Sequence, residues 1–98
     1  MNIIKNVDGN TLNIALEGRL DTTTAPQLEA ELKQSIADNT ELILDFAKLE
    51  YISSAGLRVL LGAQKTMNRQ GSMKVSHVND TIMEIFEVTG FSDILTVV

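Results

Sequence analysis

The chain has 98 residues and a formal net charge of −5, with 13 acidic against 8 basic side chains and no cysteine. That length suits one ordinary domain, and 44% hydrophobic residues can supply a core without a metal or a disulfide. The composition excludes thiolate metal sites and cysteine nucleophiles, and an acidic chain with scattered lysines and arginines is a poor nucleic-acid binder.

The N-terminal segment, MNIIKNVDGN, has no long apolar stretch after a basic start, so it does not resemble a secretory signal peptide. No apolar run approaches the roughly 20 residues that a membrane-spanning helix needs. The sequence therefore predicts a soluble, cytoplasmic protein that does not bind membranes.

The first segment of the chain predicts a β-hairpin. An apolar strand precedes the pair Asp8-Gly9, which tolerates the positive φ angles of a tight turn. The second strand alternates apolar and polar side chains, and its apolar residues are Leu12, Ile14 and Leu16.

The segment GRLDTTTAPQLEAELKQSIADNT predicts the first helix. Thr24 and Gln27 have the spacing of a capping box, and Pro26 lies in the first turn, where its missing N–H costs little. A shared inward face is predicted for residues four apart, namely Leu28, Leu32 and Ile36.

The run ELILDF, ended by Asp45, predicts a strand covered on both faces. A loop with Ser53 and Ser54 follows, and then a second helix from about Gly56 to Arg69. The predicted inward face of this helix is formed by Leu57, Leu60, Leu61 and Gln64.

The rest of the chain predicts a strand (SMKVSHV), a third helix (NDTIMEIFEVTG) ended by Gly90, and a terminal strand (DILTVV). The order ββαβαβα, with this further strand at the end, indicates one α/β domain with a mixed, mostly parallel sheet. The prediction leaves no exposed apolar stripe, so we expect a monomer. The inward residues of the third helix are predicted to be Ile82, Ile85 and Phe86.

A serine nucleophile is the first chemical hypothesis. Ser54 lies at a strand–loop–helix junction, but Ile52 occupies the position of the first glycine in G-x-S-x-G, and only Gly56 matches the second. The single histidine, His77, is expected at the surface, so no general base accompanies the serine. The sequence therefore predicts that the chain is not an enzyme.

A metal or an acid–base pair is the second hypothesis, built on Asp21, Asp45 and Glu50 near strand ends. Each acid also has an ordinary use, since Asp21 can cap a turn and the other two can solvate loops. No metal-ligand spacing and no phosphate-binding glycine loop is present, so we predict neither a metal nor a cofactor. The threonines of DTTTAP are interpreted as turn and capping residues rather than phospho-acceptors.

Ser54 is interpreted as a helix cap that can also act as a switch. Its hydroxyl can accept a hydrogen bond from the first helical turn. A phosphoryl group there would lie beside free N–H groups at the positive end of the helix dipole. Its negative charge would alter the exposed surface, with Asp21 and Glu50 expected as like-charge neighbours.

Three segments, EGRLDTTTAPQLEAEL, LILDFAKLEYISSAGLRVLLGAQ and VTGFSDIL, together with the element order, resemble the bacterial anti-sigma factor antagonists, whose fold is the STAS domain. The resemblance covers essentially the whole chain and implies a single STAS domain over residues 1–98. It implies binding to an anti-sigma factor that is a serine kinase, release of a sigma factor, and inactivation by phosphorylation of the serine aligned with Ser54. A serine phosphatase would restore the active form. The partner-binding residues that the resemblance implies are Asp21, Thr22, Ser53, Ser54, Gly56, Leu57 and Arg58.

One position departs from the family pattern. The family commonly has aspartate immediately before the phospho-acceptor, and this chain has Ser53 there. The family spacing to Gly56 selects Ser54 as the acceptor, with Ser53 as the alternative. Two other functions remain open: a regulator of the same fold in another kinase–phosphatase pathway, and a small-ligand-binding domain that uses a pocket at the sheet edge.

Overall fold

The computed structural model describes all residues, 1–98. The strands are β1 (Asn2–Asp8), β2 (Thr11–Leu20), β3 (Glu41–Ile52) and β4 (Ser72–Ser76). The helices are α1 (Ala25–Ser35), α2 (Ser54–Gln70) and α3 (Asp80–Thr89), and a short 3-10 helix spans Phe91–Asp93.

The strands form one mixed sheet in the order β1-β2-β3-β4. β1 and β2 are an antiparallel hairpin, whereas β2–β3 and β3–β4 are parallel pairs joined by helical crossovers. The predicted α/β class, the order ββαβαβα and the mostly parallel sheet are therefore confirmed.

The predicted terminal strand is reduced to a single bridge between Val97 and Val75 of β4. The Val75 N–H donates to the Thr96 carbonyl, and the Val98 N–H donates to the Val75 carbonyl, each at 2.9 Å. The 3-10 helix and the turn after it use residues 91–95, so only the last three residues of the chain reach the sheet edge.

The core lies on one face of the sheet, under the helices. Alternate residues of β2, β3 and β4 are buried there, while their neighbours face the opposite, open side. The prediction that β3 is covered on both faces is wrong, because Ile43 is only half-buried and pairs with Asn13 on the open face. The fold thus has two layers.

β3 does not end at Asp45, as predicted, but continues to Ile52. Its register with β2 shifts twice, each time by one extra residue on β3, and the first shift lies between Asp45 and Lys48. There the Asp45 carboxylate accepts a hydrogen bond from the Ala47 N–H at 2.9 Å. Leu49, between the two bulges, and Ile52, after the second, point into the core.

The predicted inward faces of the helices are confirmed at most positions. The fully or almost fully buried residues are Leu28, Leu32 and Ile36 near α1, Leu57, Leu60 and Gln64 on α2, and Ile82 and Phe86 on α3. Leu61 and Ile85 are half-buried at the margins of these faces. α2 begins at Ser54 rather than at Gly56, and Gly90 ends α3 as predicted, in the left-handed conformation with φ 82°.

Candidate functional site

The two serines at the start of α2 have different structural roles. Ser53 is the N-cap: its backbone is extended, and its side-chain oxygen accepts a hydrogen bond from the Gly56 N–H at 3.4 Å. The Ser53 carbonyl accepts the Leu57 N–H at 3.0 Å and so begins the helical ladder. Ser54 is the first helical residue and is exposed. Our assignment of the cap to Ser54 was therefore wrong, because the helix begins two residues earlier than predicted.

Gly56 lets the first turn of α2 lie directly on the ends of two strands. A Cβ atom at this position would be 2.7 Å from Leu20 Cγ and 2.9 Å from Ile52 Cγ1, which is closer than real Cβ atoms come to such neighbours. Leu57, the next residue, is 6% exposed. Gly56 and Leu57 are both buried, and their packing on the ends of β2 and β3 fixes the position of the serines.

Asp21 organises the turn between β2 and α1. One carboxylate oxygen, Oδ1, accepts hydrogen bonds from the Thr23 N–H at 3.0 Å, the Thr24 N–H at 3.1 Å and the Thr23 hydroxyl at 2.7 Å. The predicted capping box is absent, because the Thr24 hydroxyl donates to the Arg19 carbonyl at 2.8 Å instead of capping α1. The expected turn-capping use of Asp21 is confirmed.

The hydrogen bonds in this turn hold the pKa of Asp21 below its ordinary value of 3.8, chiefly through the Thr23 hydroxyl. We expect Thr23→Val to raise this pKa toward the ordinary value, since the isosteric side chain lacks the donor. The folded state favours the ionised carboxyl, so the stabilisation is present above the ordinary pKa and is lost as the pH falls through the lowered one.

Carbon-detected NMR titration of the aspartate carboxyl groups measures this shift directly. Thr22→Val is the matched control, because Thr22 donates no hydrogen bond to Asp21. An unchanged Asp21 pKa in Thr23→Val would show that the hydroxyl is not the main cause.

The Asp21 turn and the start of α2 meet in space. The Ser53 N–H donates to the Leu20 carbonyl at 2.9 Å, which ties the beginning of the helix to the end of β2. Thr22 from the turn and Arg58 from α2 line one shallow pocket. We call the solvent-accessible part of this region the Ser54 surface. It consists of the exposed Thr22, Ser54 and Arg58 and the half-buried Asp21 and Ser53.

Arg19 is a neighbour of the Ser54 surface that the sequence did not reveal. Its guanidinium carbon lies 4.6 Å from the centroid of the Tyr51 ring, and its Nε lies 3.9 Å from Asp21 Oδ2. Asp21 therefore has a cation beside it. The sequence had predicted only acidic neighbours, Asp21 and Glu50, for a phosphate on Ser54. Glu50, the other expected neighbour, is exposed within β3. The contact of Arg19 with Tyr51 follows from the β2–β3 register, which no sequence motif specifies.

The remaining titratable candidates are separate from this surface. His77 is exposed, as predicted, and its Nδ1 lies 2.9 Å from Asp45 Oδ1. The pKa of Asp45 is lowered, first by the Ala47 N–H and then by His77. No group of three or more His, Cys, Asp or Glu side chains is placed to hold a metal ion, so Asp21, Asp45 and Glu50 do not form one site. None of the helices combines the length and apolarity needed to cross a bilayer.

Comparison with known proteins gives the family. The pattern of the STAS domain matches residues 2–98. The chain belongs to this family. Among the relatives of this STAS domain is BtrV of Bordetella bronchiseptica, provisionally named an anti-sigma factor antagonist, with 38% identity over 93% of this chain and 79% of BtrV. The anti-sigma-B factor antagonist of Listeria monocytogenes is 32% identical over 96% of this chain and 84% of its own length. Both names describe antagonists of anti-sigma factors.

Solved structures show the same fold. The anti-sigma factor antagonist SpoIIAA in its unphosphorylated form superposes with a TM-score of 0.79, at 22% identity over 99% of this STAS domain and 87% of SpoIIAA. Its phosphorylated form, described as a Bacillus cell fate determinant, gives 0.78 at 22% identity over 99% and 91% of the two chains. An antagonist from Mycobacterium paratuberculosis gives 0.89 at 20% identity over 98% and 83%.

Proposed function

We propose that this STAS domain binds an anti-sigma factor that is itself a serine kinase, and so releases a sigma factor. Phosphorylation of Ser54 by that kinase ends the binding, and a separate serine phosphatase restores it. In this function the chain is a cytoplasmic monomer that uses no cofactor and no nucleic acid. The observation that carries the proposal is the exposed Ser54 hydroxyl at the first position of α2, beside the Asp21 turn.

The local structure is suited to a phosphate at this position. Transfer of the γ-phosphoryl group of ATP to Ser54 Oγ breaks the bond to the β-phosphate, releases ADP and displaces the hydroxyl proton. It places about −1.5 to −2 charges at the N-terminal end of a helix of 17 residues. Free N–H groups of the first turn and the helix dipole favour an anion there. The cap on α2 is unaffected, because it belongs to Ser53.

Phosphorylation is then a change of surface charge rather than of fold. The SpoIIAA structures support this view, since the phosphorylated and unphosphorylated forms resemble this chain almost equally, with TM-scores of 0.78 and 0.79. The new charge would lie among the residues of the Ser54 surface and would oppose a partner that docks against the neutral hydroxyl. Gly56 and Leu57 contribute by fixing the position of this surface.

The decisive experiment measures binding of the cognate anti-sigma factor to unphosphorylated and Ser54-phosphorylated protein by calorimetry. We expect phosphorylation to raise the Kd by about a hundredfold, which corresponds to a loss of about 2.7 kcal/mol in binding free energy. The reason is that the phosphate adds negative charge at the interface, where it is desolvated or repelled by the partner. Addition of the unphosphorylated form to an anti-sigma–sigma complex should release the sigma factor. Phosphatase treatment should restore the original Kd.

Ser54→Ala is the matched control, because it should bind like the wild type and resist the kinase. Equal affinities of the phosphorylated and unphosphorylated proteins would contradict the switch. Failure of the unphosphorylated protein to bind any anti-sigma factor of the same organism would contradict the antagonist function itself.

A further inference from the structure

A groove runs between α1 and α2 on the exposed side of the helical layer. Its volume is about 220 Å³, and apolar side chains from both helices line it, together with Glu29 and Lys33 at the rim. These two charges pair with each other at 3.7 Å. The apolar lining residues are Leu32, Ile36, Val59 and Ala63.

This groove is continuous with the Ser54 surface. Glu29, Arg58 and Val59 line both the groove and the shallow pocket that contains Thr22 and Ala55. A molecule seated against Ser54 therefore reaches the groove by extending along α2 past Arg58 and Val59.

Gly62 is the unusual residue of the groove. It is exposed in the interior of α2, and a Cβ atom built on it meets no atom within 4 Å. Its backbone is not in the left-handed region, and its carbonyl accepts the Thr66 hydroxyl at 3.1 Å within a continuous helix. Glycine inside a helix is less favourable than alanine, and no contact within this chain requires glycine at this position. A use appears when another molecule must approach the helix backbone closely.

Arg58 indicates the charge of that molecule. It is exposed and lies where the groove joins the Ser54 surface, yet it forms no ion pair in a chain with 13 acidic residues. Arginine recognises carboxylates through paired N–H donors, and it is frequent at the centres of interfaces.

We propose that the anti-sigma factor inserts an apolar side chain into this groove over Gly62 and places a carboxylate against Arg58. This inference rests on the proposed function, because the occupant is the same partner that docks at the Ser54 surface. The groove then supplies affinity that does not depend on the serine, while Ser54 decides whether docking is allowed.

The test compares Gly62→Ala and Gly62→Met with the wild type, using the anti-sigma factor that phosphorylates the wild-type protein. Both replacements favour the helix, so we expect Gly62→Ala to raise the midpoint of thermal unfolding by about 4 °C. We expect binding to weaken although stability rises. The Kd of Gly62→Met should rise at least about tenfold, because its side chain fills the groove. Glu87→Met, at an exposed position of α3 outside the groove, is the matched control and should keep the wild-type Kd.

The outcomes separate the two proposals. If the wild type binds and Gly62→Met binds equally well, the groove is not the docking site and the antagonist function stands. If both Gly62→Met and Glu87→Met lose affinity equally, the loss is not specific to the groove and this inference is overturned. If no anti-sigma factor binds the wild type, both proposals are wrong. A stabilised Gly62→Met protein with weakened binding would support the groove, since loss of folding could not explain the result.

Discussion

Incubation with ATP and the partner kinase is expected to add one phosphate to the wild-type protein and none to Ser54→Ala. The physical reason is access: the Ser54 hydroxyl is exposed at the first helical position, whereas the Ser53 oxygen already accepts the Gly56 N–H. Intact mass followed by tandem mass spectrometry locates the phosphate. A phosphate on Ser53 in the wild type, or one phosphate still gained by Ser54→Ala, would show that the acceptor is misassigned.

The two serines can also be separated by stability. Ser53→Ala should still be phosphorylated on Ser54 but should lose the helix cap, which costs about 1 kcal/mol. Ser53→Asp is the matched control, because an aspartate also caps a helix N-terminus. It also restores the residue that the family commonly has before the phospho-acceptor. Urea unfolding of the two Ser53 variants should therefore differ, while their sites of phosphorylation should agree.

Gly71→Ala is expected to have the largest effect on folding. The φ angle of Gly71 is 171°, which any residue adopts, so backbone strain is not the reason. A Cβ atom would instead overlap the carbonyl group of Thr40, whose oxygen accepts the Ser72 N–H at 2.9 Å where β4 begins. Backbone on both sides must move to relieve the overlap, and we expect a loss of about 3 kcal/mol in the free energy of unfolding.

Urea denaturation measures this loss, and Gly62→Ala provides the comparison within the same helix. That variant should gain about 0.5 to 1 kcal/mol, because its new methyl group meets no atom. Equal free energies of unfolding for Gly71→Ala and the wild type would contradict this prediction. They would mean that the backbone between α2 and β4 can move away from Thr40 without loss of stability.

The sequence predicted the helices best, because each places apolar residues at helical spacing against one face of the sheet. The buried positions of Leu28 and Leu32 on α1, and of Ile82 and Phe86 on α3, follow from that spacing alone. β3 was harder, since Asp45 in an apolar run is typical of a strand end. The strand in fact passes through two bulges, and bulges depend on the pairing with β2 rather than on the local sequence.

The same limit applies to the site. Two adjacent serines have equal local propensity to cap a helix, and the choice between Ser53 and Ser54 depends on where β3 ends. Thr24 had the spacing of a cap, but its hydroxyl donates to the Arg19 carbonyl across the β2–α1 turn, a contact that capping patterns do not include. Arg19 itself joins Asp21 and Tyr51 only because β2 and β3 pair as they do. Sequence patterns thus predicted the strands and helices that bring the Asp21 turn and the two serines together, but they assigned the individual hydrogen bonds less well.

The bridge between Val97 and Val75 has a consequence for aggregation. Unpaired strand edges invite pairing with other chains. The bridge covers Val75, the fourth of the five residues of β4. β1 is the longer free edge, but its two exposed large apolar residues, Ile4 and Val7, lie on opposite faces of the sheet. They therefore form no continuous apolar surface. Neither border of the sheet therefore offers a flat apolar template. We therefore expect the protein to resist edge-to-edge aggregation at high concentration.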